Sequence, residues 1–301
     1  MKNILVIGSL NADLVMYTNK TPKIGETIIG EKFEVNCGGK GANQAIAVAK
    51  LGGNVKLLGC VGNDANGELL INNCKSYGVD VSGIKKFDVN TGVAVITVTN
   101  GDNSIILDSG ANKMVSEEII DNNIELFKWA DYCLFQFEIP VNTVLYGAKL
   151  AKSLGKTVII NPAPMCEFPL ELLKYTDIIT PNETECMSLL GKEITDYEYA
   201  IKEIMQMGVK TVIVTLGSKG SVYNDGDDIK TREIVKSKVV DTTAAGDTFV
   251  AAVIISLAQG KNINEAVNFA TYASSITVSR EGASKSIPNY NEVIRYTKEM
   301  L

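Results

Sequence analysis

The 301-residue sequence contains no histidine. That absence excludes Ser-His-Asp and Cys-His catalysis, a histidine-ligated zinc site and imidazole as general base. Proton transfer must fall to carboxylates, Lys, Tyr, Cys or a metal-bound water. The six cysteines, Cys37, Cys60, Cys74, Cys133, Cys166 and Cys186, form no C-x-x-C pair. Zinc and redox motifs are therefore not indicated, and free, buried thiols of a reducing compartment are expected. Basic charge is short as well: 29 Lys and Arg stand against 35 Asp and Glu, a formal net charge of -6. This argues against a broad nucleic-acid-binding face, although a small polyanion held by local amides stays possible. No apolar run approaches the ~20 residues of a membrane span, and the first residues lack the apolar region and cleavage site of a signal peptide. A cytoplasmic protein with no membrane or nucleic-acid partner is expected.

What the chain does contain is ordinary globular composition, 46% hydrophobic and 21% charged, long enough to bury a large core. Short apolar runs at 4–8, 55–61, 132–135, 157–160, 177–180 and 211–216 read as strands covered on both faces. Helical patterns at 41–51, 67–77, 117–129, 143–154, 183–190 and 197–207 lie between them, and the chain turns helical again at 245–259 and 264–279. Alternation of this kind means βαβ units: an α/β fold, Rossmann-like, with a mainly parallel central sheet flanked by helices. Two stretches, about 13–36 and 84–108, break the rhythm with alternating strand-like segments and turn signals such as the 100–103 stretch. They read as insertions forming a small β-sheet lid on one domain spanning 1–301.

Four elements at strand-to-helix or strand-to-turn junctions carry the chemistry, as ligand sites of open α/β sheets do. Asp241-Thr242-Thr243-Ala244-Ala245-Gly246-Asp247 precedes an apolar helix, so its small residues let an anion approach the unpaired first amides. Gly38-Gly39-Lys40-Gly41-Ala42-Asn43-Gln44 also opens a helix; a tight turn explains its glycines but not Lys40 and Asn43. Thr215-Leu216-Gly217-Ser218-Lys219-Gly220 is either an ordinary hairpin turn or a nucleotide cradle. Pro181-Asn182-Glu183-Thr184-Glu185 is either a plain capping box or a magnesium-organising glutamate. Neither a Walker A motif nor G-x-G-x-x-G is present, which removes support for P-loop NTPases and nicotinamide dehydrogenases.

These stretches, with Gly8-Ser9-Leu10-Asn11-Ala12-Asp13 and Asn161-Pro162-Ala163-Pro164, stand in the order of a known family. Along essentially its whole length the chain resembles the ribokinase-like (PfkB) sugar kinases. The resemblance implies transfer of a phosphoryl group from ATP to the 5-hydroxyl of a pentose, D-ribose first, with 2-deoxyribose, fructose or adenosine as alternatives. It also implies a homodimer joined through the lids. Asp247 corresponds to the catalytic base, and Ala244, Ala245 and Gly246 to the anion hole. The sugar side corresponds to Asn11, Asp13, Gly39, Lys40, Asn43 and Glu138, with Asp247 also touching the sugar. The nucleotide side corresponds to Asn182, Thr215, Leu216, Gly217, Ser218, Lys219, Gly220, Gly246 and Thr271, the last departing from a histidine expected there. Glu185 corresponds to a group acting on Mg²⁺ through water. Asp241, Thr243, Thr277, Arg280, Gly282 and Ser286 correspond to positions around a monovalent cation, potassium in the family, several of them through backbone carbonyls.

An ordinary carboxyl titrates near 3.9, many units below a sugar hydroxyl, so an Asp base cannot strip the proton before reaction begins. In a loose phosphoryl transfer it need not, because the proton leaves as the O–P bond forms. The alternative from another class, a non-catalytic sugar or nucleotide sensor, has no need of Asp247.

Overall fold

In the computed structural model, which describes residues 2–99 and 102–299, the apolar runs pair into one large sheet. Along the chain the strands are β1 (Asn3–Ile7), β2 (Asn11–Thr18), β3 (Lys32–Gly38), β4 (Asn54–Gly62), β5 (Asp80–Phe87), β6 (Gly92–Thr99) and β7 (Asp102–Asp108). They continue as β8 (Tyr132–Phe135), β9 (Thr157–Ile160), β10 (Ile178–Ile179), β11 (Thr211–Thr215), β12 (Ser221–Asp225) and β13 (Asp228–Arg232). The large sheet runs β13-β12-β11-β10-β9-β8-β1-β4-β5. From β5 to β11 every pairing is parallel, and β12 and β13 add an antiparallel hairpin at one edge.

β1 explains why the run at the chain start has no alternation. Ile4 and Val6 join one core, with the helices Lys40–Lys50, Ala245–Ala258 and Ile263–Val278. Leu5 and Ile7 join the other, with Val141–Ser153 and Tyr197–Gln206. Each of the four is fully buried, so each contributes about 1.5–3 kcal/mol. The helix Ala245–Ala258 is covered nearly all round, ten of its fourteen residues being buried. Its alanines let it pack closely, which fixes its N-terminus over the carboxyl ends of the strands.

A second sheet, ordered β3-β2-β6-β7, stands apart from the first. β2 pairs antiparallel with β3 and parallel with β6, and β6 pairs antiparallel with β7. The second insertion is shorter than the alternation at 84–108 suggests: residues 84–87 close β5 of the large sheet, where an edge strand half open to water mimics a hairpin strand. Of the turn at 100–103, residues 100 and 101 lie outside the described residues. The helix expected over 117–129 is two helices, Glu117–Asp121 and Ile124–Trp129. Between them the Asn123 side chain donates to the Ile119 carbonyl at 2.7 Å, taking a backbone acceptor and ending the first helix.

All six cysteines are unpaired, but not all are buried: Cys166 is exposed and Cys37 half-buried. Burial pushes the thiols of Cys60, Cys74, Cys133 and Cys186 up to about 12, so they are inert packing groups. Among the described residues no helix is long and apolar enough to cross a membrane.

Candidate active site

The glycine-rich and acidic motifs, far apart in sequence, meet above the strand ends. Helix Lys40–Lys50 starts tight against the β1–β2 connection: a Cβ on Gly39, whose φ is +90°, would lie 2.7 Å from the Asn11 amide nitrogen, and one on Gly41 2.5 Å from that of Ser9. Only glycine permits that approach. It brings Asn43 and Gln44 to Asp247, in the first turn of Ala245–Ala258. Asn43 Nδ2 donates to Asp247 Oδ2 at 3.2 Å, and Gln44 Nε2 to Oδ1 at 3.0 Å. Ala244, directly before the helix, has φ +60°, a left-handed conformation costing a non-glycine residue about 1–2 kcal/mol. Nothing lies within 4 Å of the place a Cβ would take on Gly246. The Ala245 amide donates to the Thr242 carbonyl at 3.2 Å, while the amides of Ala244 and Gly246 have no backbone partner among the described residues, so the turn is an anion site in form.

On one side of Asp247 lies a cluster of carboxylates and amides. Glu138 Oε2 accepts the Ser9 hydroxyl at 2.5 Å, the Lys40 backbone amide at 3.0 Å and Asn11 Nδ2 at 3.3 Å. Asn11 Oδ1 accepts Asn112 Nδ2 at 2.7 Å, so Asn11 is held at both ends of its amide. Burial first, and then the charges of Glu138 and Asp247, push the Asp13 carboxyl up to about 7. Burial disfavours the charged form of Lys40, but the carboxylates of Asp247, Glu138 and Glu185 outweigh it and hold the ammonium above its usual range.

On the other side a cavity of about 190 Å³ is lined by Lys40, Asn161, Asn182, Glu185, Gly246 and Asp247 among others. Through Asn182, Thr215, Thr242 and Gly246 it meets a largely apolar groove of about 710 Å³, whose walls include Gly217, Ser218, Gly220, Val235, Phe249 and Thr271. Asn182 and Glu185 form a reciprocal capping box, Glu185 N to Asn182 Oδ1 and Asn182 N to Glu185 Oε2, both 2.8 Å. Burial raises the Glu185 carboxyl, with Asn182 and Lys40 acting against it. Two of the expected nucleotide residues turn elsewhere: Leu216 packs into the core, and Lys219 is exposed and bonded to Glu183 at 3.3 Å. The Thr271 hydroxyl donates to the Val267 carbonyl at 2.8 Å, so its hydrogen is committed to its own helix.

Of the residues expected around a monovalent cation, Asp241, Thr243 and Gly282 meet where the loops 241–243 and 280–286 touch. Asp241 accepts the Thr243 amide at 2.8 Å, the Thr243 hydroxyl at 2.6 Å and the Gly282 amide at 2.9 Å. Burial acts to raise its carboxyl, but these bonds prevail and hold it below the usual carboxylate range. The Thr277 hydroxyl bonds to Thr248, that of Ser286 to the Ala283 carbonyl, and the Arg280 guanidinium to Glu292. An ion here would therefore rest on Asp241 and backbone carbonyls. Among the described residues no group of three or more Cys, Asp and Glu side chains suits a metal by itself, so Mg²⁺ fits only with oxygens brought by a ligand.

Sequence reasoning gave no role to Gln44, Asn112, Gln136 or Asn161. Gln44 and Asn161 stood inside quoted motifs; Asn112 and Gln136 left no signal beyond being polar next to apolar runs.

Comparison with known proteins agrees with this arrangement. Residues 1–290 match the model of the pfkB family of carbohydrate kinases. A ribokinase of Lactococcus lactis is 39% identical over 301 residues, covering 100% of this chain and 98% of the relative. A deoxyribokinase of Salmonella typhi is 34% identical over 300 residues, covering 98% of each. The structure of Arabidopsis thaliana ribokinase complexed with ribose and ATP superposes with a TM-score of 0.93 at 37% identity, covering 99% of both chains. With motif order, fold and site in agreement along its length, the chain belongs to the pfkB family of carbohydrate kinases.

Proposed function

We propose that this kinase transfers the γ-phosphoryl group of ATP to the 5-hydroxyl of D-ribose, giving ribose 5-phosphate and ADP. The observation that carries the proposal is the position of Asp247. It sits at the mouth of an anion-ready helix N-terminus, with the Asn11–Asp13–Glu138 cluster on one side and the cavity and apolar groove on the other. The sugar occupies the cluster, the adenine the groove, and the triphosphate the cavity between. The similarity to ribokinases, one of them solved with ribose and ATP, supports the same assignment.

In this reading Asp247 takes the hydroxyl proton as the new O–P bond forms and the bond to ADP breaks. The amides of Ala244 and Gly246 and the Lys40 ammonium stabilise the charge on the transferring group. Mg²⁺ arrives with ATP and neutralises phosphate oxygens; Glu185, buried and facing the cavity, would hold it through water. Potassium fits the 241–243 and 280–286 loops, where Asp241 and carbonyls would hold it. By tying the two loops together it would fix the turn 244–246. Two copies pair through the small sheets, each of which exposes an apolar row.

Asn11 favours ribose over deoxyribose. Its Nδ2 uses one hydrogen on Glu138, and the second suits the 2-hydroxyl that deoxyribose lacks. Leaving that buried group unpaired costs about 1–3 kcal/mol, or roughly 5- to 150-fold in kcat/KM. The test is ADP release with D-ribose, 2-deoxyribose, fructose and adenosine, each with Mg·ATP in potassium or sodium, beside Asp247→Asn. Ribose preference, potassium stimulation and a mutant slowed by roughly 10²- to 10⁴-fold are expected. Turnover of none of the four would overturn the substrate assignment.

A further inference from the structure

Asp247 lies at the end of a chain of side-chain amides whose orientation is fixed from outside the site. The chain begins at the Thr180 backbone carbonyl, which can only accept. Asn161 Nδ2 donates to it at 3.0 Å, so Asn161 turns its oxygen toward Gln44. That oxygen accepts Gln44 Nε2 at 3.0 Å, and the same nitrogen gives its other hydrogen to Asp247 Oδ1 at 3.0 Å. Gln44 Oε1 then faces away and accepts Gln136 Nε2 at 2.6 Å. Flipping any one of these amides would set donor against donor or oxygen against oxygen.

Gln136 adds an independent observation. It is fully buried, yet its Oε1 has no partner among the described residues. A Cβ on Gly8 would come within 2.0 Å of that oxygen, so the room for it depends on a glycine. An orphaned buried oxygen lowers stability, and a methionine would fill the volume without one. Packing alone does not account for a glutamine here; its N–H, which sets Gln44, does.

The geometry points to Gln44 as a positioning residue for phosphoryl transfer, locked by Asn161 and Gln136 so that it holds Asp247 Oδ1 and keeps the carboxylate from turning. With Asn43 on Oδ2, each oxygen accepts one amide and keeps a lone pair free for a hydroxyl. The inference rests on the reading of Asp247 as the base.

The test is steady-state kinetics with D-ribose and Mg·ATP on the wild type, Gln44→Met, Gln136→Met and Asp247→Ala, together with each methionine variant in the Asp247→Ala background. Gln44→Met should lower kcat by about 10- to 100-fold, and Gln136→Met by roughly 3- to 10-fold, with KM for both substrates within about threefold. Once Asp247 is gone, either methionine should change kcat by less than about twofold, because the residues act through it. An equal loss in both backgrounds, or a loss confined to KM, would make Gln44 a packing residue and overturn the inference. Wild-type turnover by Asp247→Ala would defeat the base reading instead, and this inference with it. Should Gln44→Met fail to fold, Gln136→Met carries the same comparison, since it touches no atom of Asp247.

Discussion

The Glu138 carboxylate accepts the backbone amide of Lys40 at 3.0 Å, while the Lys40 side chain lines the cavity beside Asp247 and Glu185. In the proposed reading one residue thus serves both substrates: its amide orders the sugar side and its ammonium faces the phosphate path. Lys40→Met leaves the backbone contact in place and removes only the charge. We expect kcat to fall by about 10²- to 10³-fold and KM for ribose to change by less than about threefold. A ribose KM that rises in step with the fall in kcat would mean that the ammonium acts on the sugar.

Gly246 separates stability from activity. A Cβ there meets no atom within 4 Å, and alanine is preferred over glycine inside a helix by about 0.5–1 kcal/mol. Gly246→Ala should therefore hold or raise the melting temperature. Its methyl group would stand where the phosphate must approach the amides, so kcat/KM for ATP should drop by at least about tenfold. Calorimetry beside kinetics checks both signs in one variant.

Asp13 gives the site a pH dependence. Its folded value, about 7 against 3.8, means that the folded chain binds the proton more tightly than the unfolded chain does. That stabilising contribution is complete below about pH 4 and is lost as pH rises through 7. Asp13→Asn removes the charge and should gain roughly 1–4 kcal/mol over the wild type at pH 8, with little difference near pH 4. In the proposed site the ionised carboxylate is the stronger acceptor of sugar hydroxyls, so the ribose KM should fall from pH 6 to pH 8 in the wild type. A flat KM profile with unchanged relative stability would place the titration elsewhere.

Glu185→Gln tests the magnesium side without breaking the fold. Glutamine retains the capping box with Asn182, since its amide oxygen accepts the same backbone bond. Activity at saturating magnesium should survive in part, while the magnesium concentration for half-activity rises several-fold. Titrations of Mg²⁺ at fixed ATP measure it.

The large sheet could be read from the sequence because β1, β8 and β9 are buried on both faces, which forces unbroken apolar runs. β5 could not, because an edge strand with one wet face alternates like a hairpin. The site was legible where a motif sits on its own turn, as 241–247 does. It was not legible where a side chain's partner lies far away: 203 positions separate Gln44 from Asp247. A buried amide carries no local pattern, since its partner is chosen by the fold. The side chains of Leu216 and Lys219 point to the core and to Glu183 for the complementary reason, as a turn motif fixes the backbone but not which side chains face the groove.

The small sheet makes the last prediction. Val35 pairs across Leu14 with Val95, and Val95 with Ile106, so one row of its face is apolar from edge to edge. Val35, Val95 and Ile106 are exposed by 43%, 47% and 74%, and Phe33 and Met16 extend the patch on the same face. Water against such a face is unfavourable, and a second copy of the sheet would cover it. Ile106→Asp leaves the isolated chain's core untouched but would bury a charge between two sheets. It should turn a dimer into a monomer by light scattering and raise the ribose KM, because the small sheet that carries Asp13 in β2 loses its support. Its melting temperature should fall only as far as the loss of the partner requires, so it should match that of the wild type diluted to monomer. A wild type that is already monomeric at working concentration would overturn the pairing, and the apolar row would then need another occupant.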